Sequence, residues 1–129
     1  MKIPYRAIGP QDPQKEKFFA LVDSGADACL FPRDTAETLN IDIKSGQRAF
    51  FTGIGGGQIP FYFHEVDIFV GEYQVRSKVG FSTSTIGTSG LLGQQGFFDH
   101  FIISFDNKNK FLEIKKHGLI QDLAAKIIS

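Results

Sequence analysis

Three consecutive residues, Asp23, Ser24 and Gly25, pose the first chemical question. Asp23 ends a run, residues 17–23, that is otherwise almost wholly apolar, so the chain carries a carboxylate out of a buried segment into a polar turn. Burying a charge is costly unless it is hydrogen-bonded or shared. A carboxylate so placed can cap the turn by accepting backbone N–H groups, with Gly25 supplying a permissive dihedral. It can equally serve as a general acid or base. The tripeptide alone does not choose between these roles.

Other candidate groups are weaker. His64 and Glu65 with Asp67 lack the second His of a zinc-protease helix, and the alternation around them is strand-like, which makes His64 a surface residue. The segment from Gly87 through Ser89 to Leu91 nearly forms a nucleophile turn but lacks its final Gly. Gly53, Ile54 and Gly55 begin like a dinucleotide fingerprint, yet Gln58 stands at the last Gly position and no helix follows. Cys29 is the one cysteine, which excludes an internal disulfide and a Cys-built zinc site and leaves an inert core thiol. No metal and no cofactor are expected.

The elements that must hold these residues read as short strands. Residues 2–8 form one, followed by a polar loop over 9–16 with Pro10 and Pro13. Residues 17–23 read as a strand buried on both faces, and 28–31 as a second short strand. Pro32 and Asp34 open a brief helix that carries Ala36 and Leu39 inward and stops near Asn40. Residues 47–53 and 58–70 are two strands joined across a glycine-rich tip. In the second, the apolar phase shifts between Phe63 and Val66, which predicts a bulge near His64. Another strand covers 73–81, a Ser/Thr-rich loop 82–89, and a helical turn 94–100. Residues 101–105 and 110–114 make a hairpin about Asn107, Lys108 and Asn109. Leu119, Leu123 and Ile127, at spacing four, predict a C-terminal helix over 118–128.

Composition agrees with a β-rich domain: among 129 residues there are 14 Phe and 14 Gly but no Trp. A chain of this length reads as one domain, 1–129, with enough core to need no staple. Lys and Arg (14) balance Asp and Glu (14), with a pI near 6.8, which argues against a nucleic-acid partner. There is no stretch suited to a membrane helix and no secretory signal, so a cytoplasmic protein is expected.

In their order along the chain, the block Asp23-Ser24-Gly25-Ala26-Asp27, the glycine-rich tip at 53–57 and the block Leu91-Leu92-Gly93 resemble the retropepsin family of aspartic proteases, single-domain relatives of pepsin. The resemblance spans roughly residues 17–115 and rests mainly on the first and last blocks. It implies an all-β acid-protease β-barrel with a flap hairpin and one or two short helices, to which periodicity adds the C-terminal helix. It implies Asp23 as the catalytic aspartate and Ser24 as the hydroxyl that clasps the partner subunit across a two-fold axis. Gly25, Leu91, Leu92 and Gly93 would support the site. Ala26, Asp27, Ile54, Gly55, Gly56 and Gly57 would meet a peptide or protein substrate.

The chemistry implied uses two carboxylates sharing one proton, and this chain has a single Asp-Ser-Gly. The second carboxylate would then come from another copy, in a homodimeric aspartic endopeptidase. Two features depart from the pattern. Gln94 stands where many members carry an Arg that ties the dimer, and the expected C-terminal helix replaces the strand that retroviral relatives interleave. The rival expectation is a catalytically silent dimer that binds peptides in the same cleft.

Overall fold

The computed structural model describes residues 2–8, 16–52, 55–84, 89–117 and 125–128. The first strands are β1 (Lys2–Ile8), β2 (Glu16–Val22) and β3 (Leu30–Phe31), followed by helix α1 (Arg33–Thr38). Then come β4 (Gln47–Thr52), β5 (Gln58–Val70), β6 (Tyr73–Ser82) and β7 (Gly90–Leu92). The last are β8 (Phe101–Asp106), β9 (Phe111–Lys116) and β10 (Ala125–Ile128). Seven strands pair in the order β1-β2-β7-β3-β6-β5-β4, and a further β1–β5 pairing curls this sheet back on itself with β4 outside. A second sheet runs β10-β9-β8. Both feed one core, in which Ile3, Val66 and Phe81 of the large sheet join Leu112 and Ile114 of the small one.

Aromatic residues fill that core. Tyr5 stacks on Phe31 at 5.0 Å between ring centroids, and Phe31 meets Phe81 at 5.8 Å. Helix α1 follows Pro32, carries Asp34 in its first turn and buries Ala36, while Leu39 just past its end is fully buried. It ends where Asn40 takes a left-handed φ of 57°. Gly71, at φ 59°, makes the tight turn between β5 and β6.

Four sequence expectations are corrected. β2 is covered on one face only: Ala20 and Val22 point into the core, whereas Phe19 and Leu21 are 51% and 38% exposed. An apolar run cannot tell a doubly covered strand from one that leaves a hydrophobic face outward. There is no bulge at His64, because β5 and β6 stay in unbroken register from Phe61↔Ser82 to Val70↔Tyr73. The phase shift arises because the covered face changes along β5. Phe61 and Phe63 meet Phe51 of β4, while Val66, Ile68 and Val70 face the core on the other side.

Residues 94–100 form wide turns, with Phe98 N–H donating to the Gly93 carbonyl and Asp99 N–H to that of Gln94. Finally, the C-terminal helix is absent where the chain is described. Residues 125–128 are strand β10, antiparallel to β9 with Ala125↔Ile114 and Ile128↔Phe111. An isolated helix this short is marginal, and the open edge of β9 offers a full set of backbone partners to β-branched residues. Residues 118–124 lie outside the described residues, as do 9–15 and 85–88 of the expected polar loops at 9–16 and 82–89.

Candidate active site

The site begins where β2 ends. β2 runs parallel to β7, with Leu21↔Leu91 and Val22↔Leu92 in register. The last ladder bond passes from Asp23 N–H to the Leu92 carbonyl at 3.0 Å, which fixes the start of the turn. Val22 and Leu92 lie in the core, so Asp23 is carried to the rim and stands half-buried. Its Oδ1 accepts the Gly25 N–H at 2.9 Å, and its backbone carbonyl accepts the Ala26 N–H at 3.1 Å. Both interactions are those of a capped turn, and they aim the carboxylate rather than hide it.

A second segment locks this turn from the side. Gln94 N–H donates to the Ala26 carbonyl at 2.8 Å, and Gln95 N–H donates to the Asp27 carbonyl at 2.9 Å. Cys29 N–H returns a bond to the Gln95 carbonyl at 3.1 Å. Gly93 permits this close approach, since a Cβ there would run into the carbonyl oxygens of Ala28 and Ala26. Beneath the loop Cys29 is fully buried, and that burial pushes its thiol up to about 12. Gly96, at φ 100°, packs over its sulfur.

The two leucines of the second block part company. Leu92 is fully buried under the Asp23 turn, while Leu91 is half-buried on the opposite face. There it shares a small cavity of about 50 Å³ with Leu30, Phe61 and Ser89.

A larger cleft of about 300 Å³ opens beside the loop. Asp27, Ala28 and Gln95 form one wall, Phe51 and Phe63 another, and Lys78 stands between them. The Lys78 Nζ donates to Gln47 Oε1 at 3.3 Å and sits 5.9 Å from the Phe63 ring centre. Phe51 and Phe63 line this cleft, and Phe61 lines the small cavity. Phe50 points elsewhere, 53% exposed beneath Arg48. Gln94 stands out in the sequence only as a departure from the family pattern directly after Gly93, and no sequence signal points to Gln47 or Lys78.

Ser24, Gly25 and Asp27 are exposed, and Ala26 is half-buried. At the end of the β4–β5 hairpin, Gly55 and Gly56 take left-handed φ values of 91° and 84°, and among the described residues no atom beyond the adjoining ones comes within 4 Å of where a side chain would start on Gly55, Gly56 or Gly57. Ile54 lies outside the described residues. Among the described residues no three His, Cys, Asp or Glu gather to hold a metal ion, and no helix is long and apolar enough to cross a membrane.

No protein-family model matches this chain, and no curated protein sequence does. Solved structures do match. The retroviral protease-like domain of Ddi1 from Leishmania major superposes with a TM-score of 0.60 at 15% identity, over 99% of this chain and 93% of that one. A retropepsin-like aspartic protease from Rickettsia conorii gives 0.58 at 19% identity, over 98% and 92%. EIAV protease, in complex with an inhibitor, gives 0.50 at 19% identity, over 73% of this chain and 81% of its own. Likeness at such identities is a likeness of fold. The order of strands, the parallel β2–β7 pair under the Asp23 turn and these superpositions together give the chain a retropepsin-like, all-β fold.

Proposed function

We propose that this chain is an aspartic endopeptidase that works as a homodimer, with Asp23 of each copy in one site. The observation that carries the reading is the placement of Asp23. A half-buried carboxylate leaves the end of a core strand, held by the Gly25 N–H, in a fold shared with EIAV protease and a retropepsin-like aspartic protease. One chain offers one such carboxylate, so a two-fold pairing supplies the other.

In this reading the Asp23 pair shares one proton, because two like charges in contact cannot both ionise. The ionised carboxylate takes a proton from the attacking water, and the protonated one donates to the peptide carbonyl oxygen. Ser24, next in the exposed turn, faces the partner copy across the axis. Asp27 binds the substrate main chain along the cleft wall, and Ala26, whose side chain is small, keeps the loop backbone close to it. The tip at Gly55, Gly56 and Gly57 closes over the peptide with backbone groups alone, excluding bulk water.

The test is incubation of the pure protein with an unstructured protein substrate, with and without a pepstatin-like inhibitor. Cleavage is expected from the wild type and not from Asp23→Asn, with circular dichroism showing that the variant keeps its fold. A wild type that leaves the substrate intact, or an Asp23→Asn variant that still cuts it, overturns the reading.

A further inference from the structure

Gln94 reaches across 70 residues of sequence to the turn that holds Asp23. Its Nε2 donates to the Ser24 carbonyl at 2.7 Å. The amide end facing that oxygen must be the NH₂ group, since a carbonyl can only accept. The Ser24 carbonyl and the Gly25 N–H belong to one peptide unit, and that N–H is the donor to Asp23 Oδ1 at 2.9 Å. A peptide unit is planar, so whatever fixes the direction of its C=O fixes the direction of its N–H. The chain of donors therefore runs from the Gln94 amide, through one peptide plane, to the carboxylate.

Gln94 is itself well held. Its backbone N–H donates to the Ala26 carbonyl at 2.8 Å, and its carbonyl accepts the Asp99 N–H at 3.0 Å. Gly93, just before it, is pressed against the same loop. With both backbone groups engaged, the side chain starts from a fixed point and covers a short span. The Ser24 carbonyl lies in an exposed turn, where water could have satisfied it. What the Gln94 amide adds over water is orientation, and a polarised donor chain ending on a carboxylate is stronger than its separate links.

We propose that Gln94 is a positioning residue that aims the Asp23 carboxylate through the Ser24–Gly25 peptide. The proposal rests on the reading of Asp23 as the reacting group, and its test separates the two. Gln94→Met keeps the length of the side chain, adds no charge and removes the donor. Because Gln94 is exposed, the variant is expected to unfold at the same urea concentration as the wild type. In a ¹⁵N–¹H spectrum its Gly25 amide proton should move upfield and exchange faster with solvent, while amides of β9 stay in place. In the cleavage assay, kcat should fall roughly five- to tenfold, the size of one hydrogen bond, with KM within about twofold. Gln94→Arg, which brings donors back, should recover both the Gly25 shift and much of the lost kcat.

A Gly25 amide that does not move in Gln94→Met overturns the proposal whatever the assay shows. So does a moved amide with unchanged kcat in a protein whose cleavage depends on Asp23, or a loss expressed wholly in KM. If the wild type does not cleave at all, the proteolytic reading falls, while the Gly25 amide still decides whether Gln94 holds the Asp23 turn.

Discussion

A side chain on Gly93 would collide with Ala26: its Cβ would stand 2.6 Å from the Ala26 carbonyl oxygen and closer still to that of Ala28. Both obstacles are backbone, so neither can swing aside. The carbonyls are those of the loop that presents Asp23, and the Ala26 oxygen is also the acceptor for Gln94 N–H. Gly93→Ala must therefore push the two segments apart. We expect a loss of about 1–3 kcal/mol, the usual cost of overpacking, read as a lower urea midpoint with an unchanged slope. Cleavage by the residual folded protein should also fall, because the Gln94 bonds lengthen. A variant as stable as the wild type would show that this contact is not tight in solution.

Gly56 presents the opposite case. Among the described residues nothing crowds it, but its φ of 84° is one that L side chains rarely adopt. Gly56→Val forces the tip into another turn at a cost of about 1–2 kcal/mol, which an exposed hairpin end can relieve locally. The melting temperature should shift by only a few degrees. Turnover should drop by about tenfold if the tip must close over the peptide with backbone groups alone. Unchanged kinetics would take the tip out of the mechanism.

The proposed dimer rests on the single Asp-Ser-Gly in the chain. On dilution through the dissociation constant, specific activity should decline, so that total rate falls faster than linearly with protein concentration. Sedimentation across the same range should show monomer growing in step with the loss. An active species that sediments as a monomer removes the shared site.

Cys29 and Tyr5 set the alkaline behaviour. Burial raises both acids, the thiol from 9.0 to about 12 and the phenol further. In the unfolded chain each ionises at its ordinary value, so above that value the unfolded state has lost a proton that the native state keeps. Stability is then fully present below pH 9 and is lost as pH rises from 9 towards 12. Cys29→Ala should flatten part of this decline in thermal melts and leave the part due to Tyr5. The native thiol should resist alkylation at neutral pH and react at once in urea. A native protein alkylated as fast as a free peptide would contradict the burial of Cys29.

Much of this protein could be read from the chain itself. Pro32, Asp34, Ala36 and Leu39 specify a short helix by local preferences, and the helix is there. The hairpins at β4–β5, β5–β6 and β8–β9 follow from alternation and turn residues, which act over a few positions. The candidate site was legible to the extent that its residues are contiguous: an apolar run, an acid, a glycine, and later Leu91, Leu92 and Gly93. Which face each residue shows was not legible. Phe19 and Leu21 look like core and lie outside, Leu91 and Leu92 look equivalent and point opposite ways, and a shift of covered face at His64 imitates a bulge. At the C-terminus, spacing at four residues favoured a helix until the free edge of β9 offered residues 125–128 a sheet. The bond from Gln94 to Ser24 belongs to the same class. Local sequence fixes dihedrals and periodicity, but a hydrogen bond between distant residues exists only once two strands, β2 and β7, have been laid side by side.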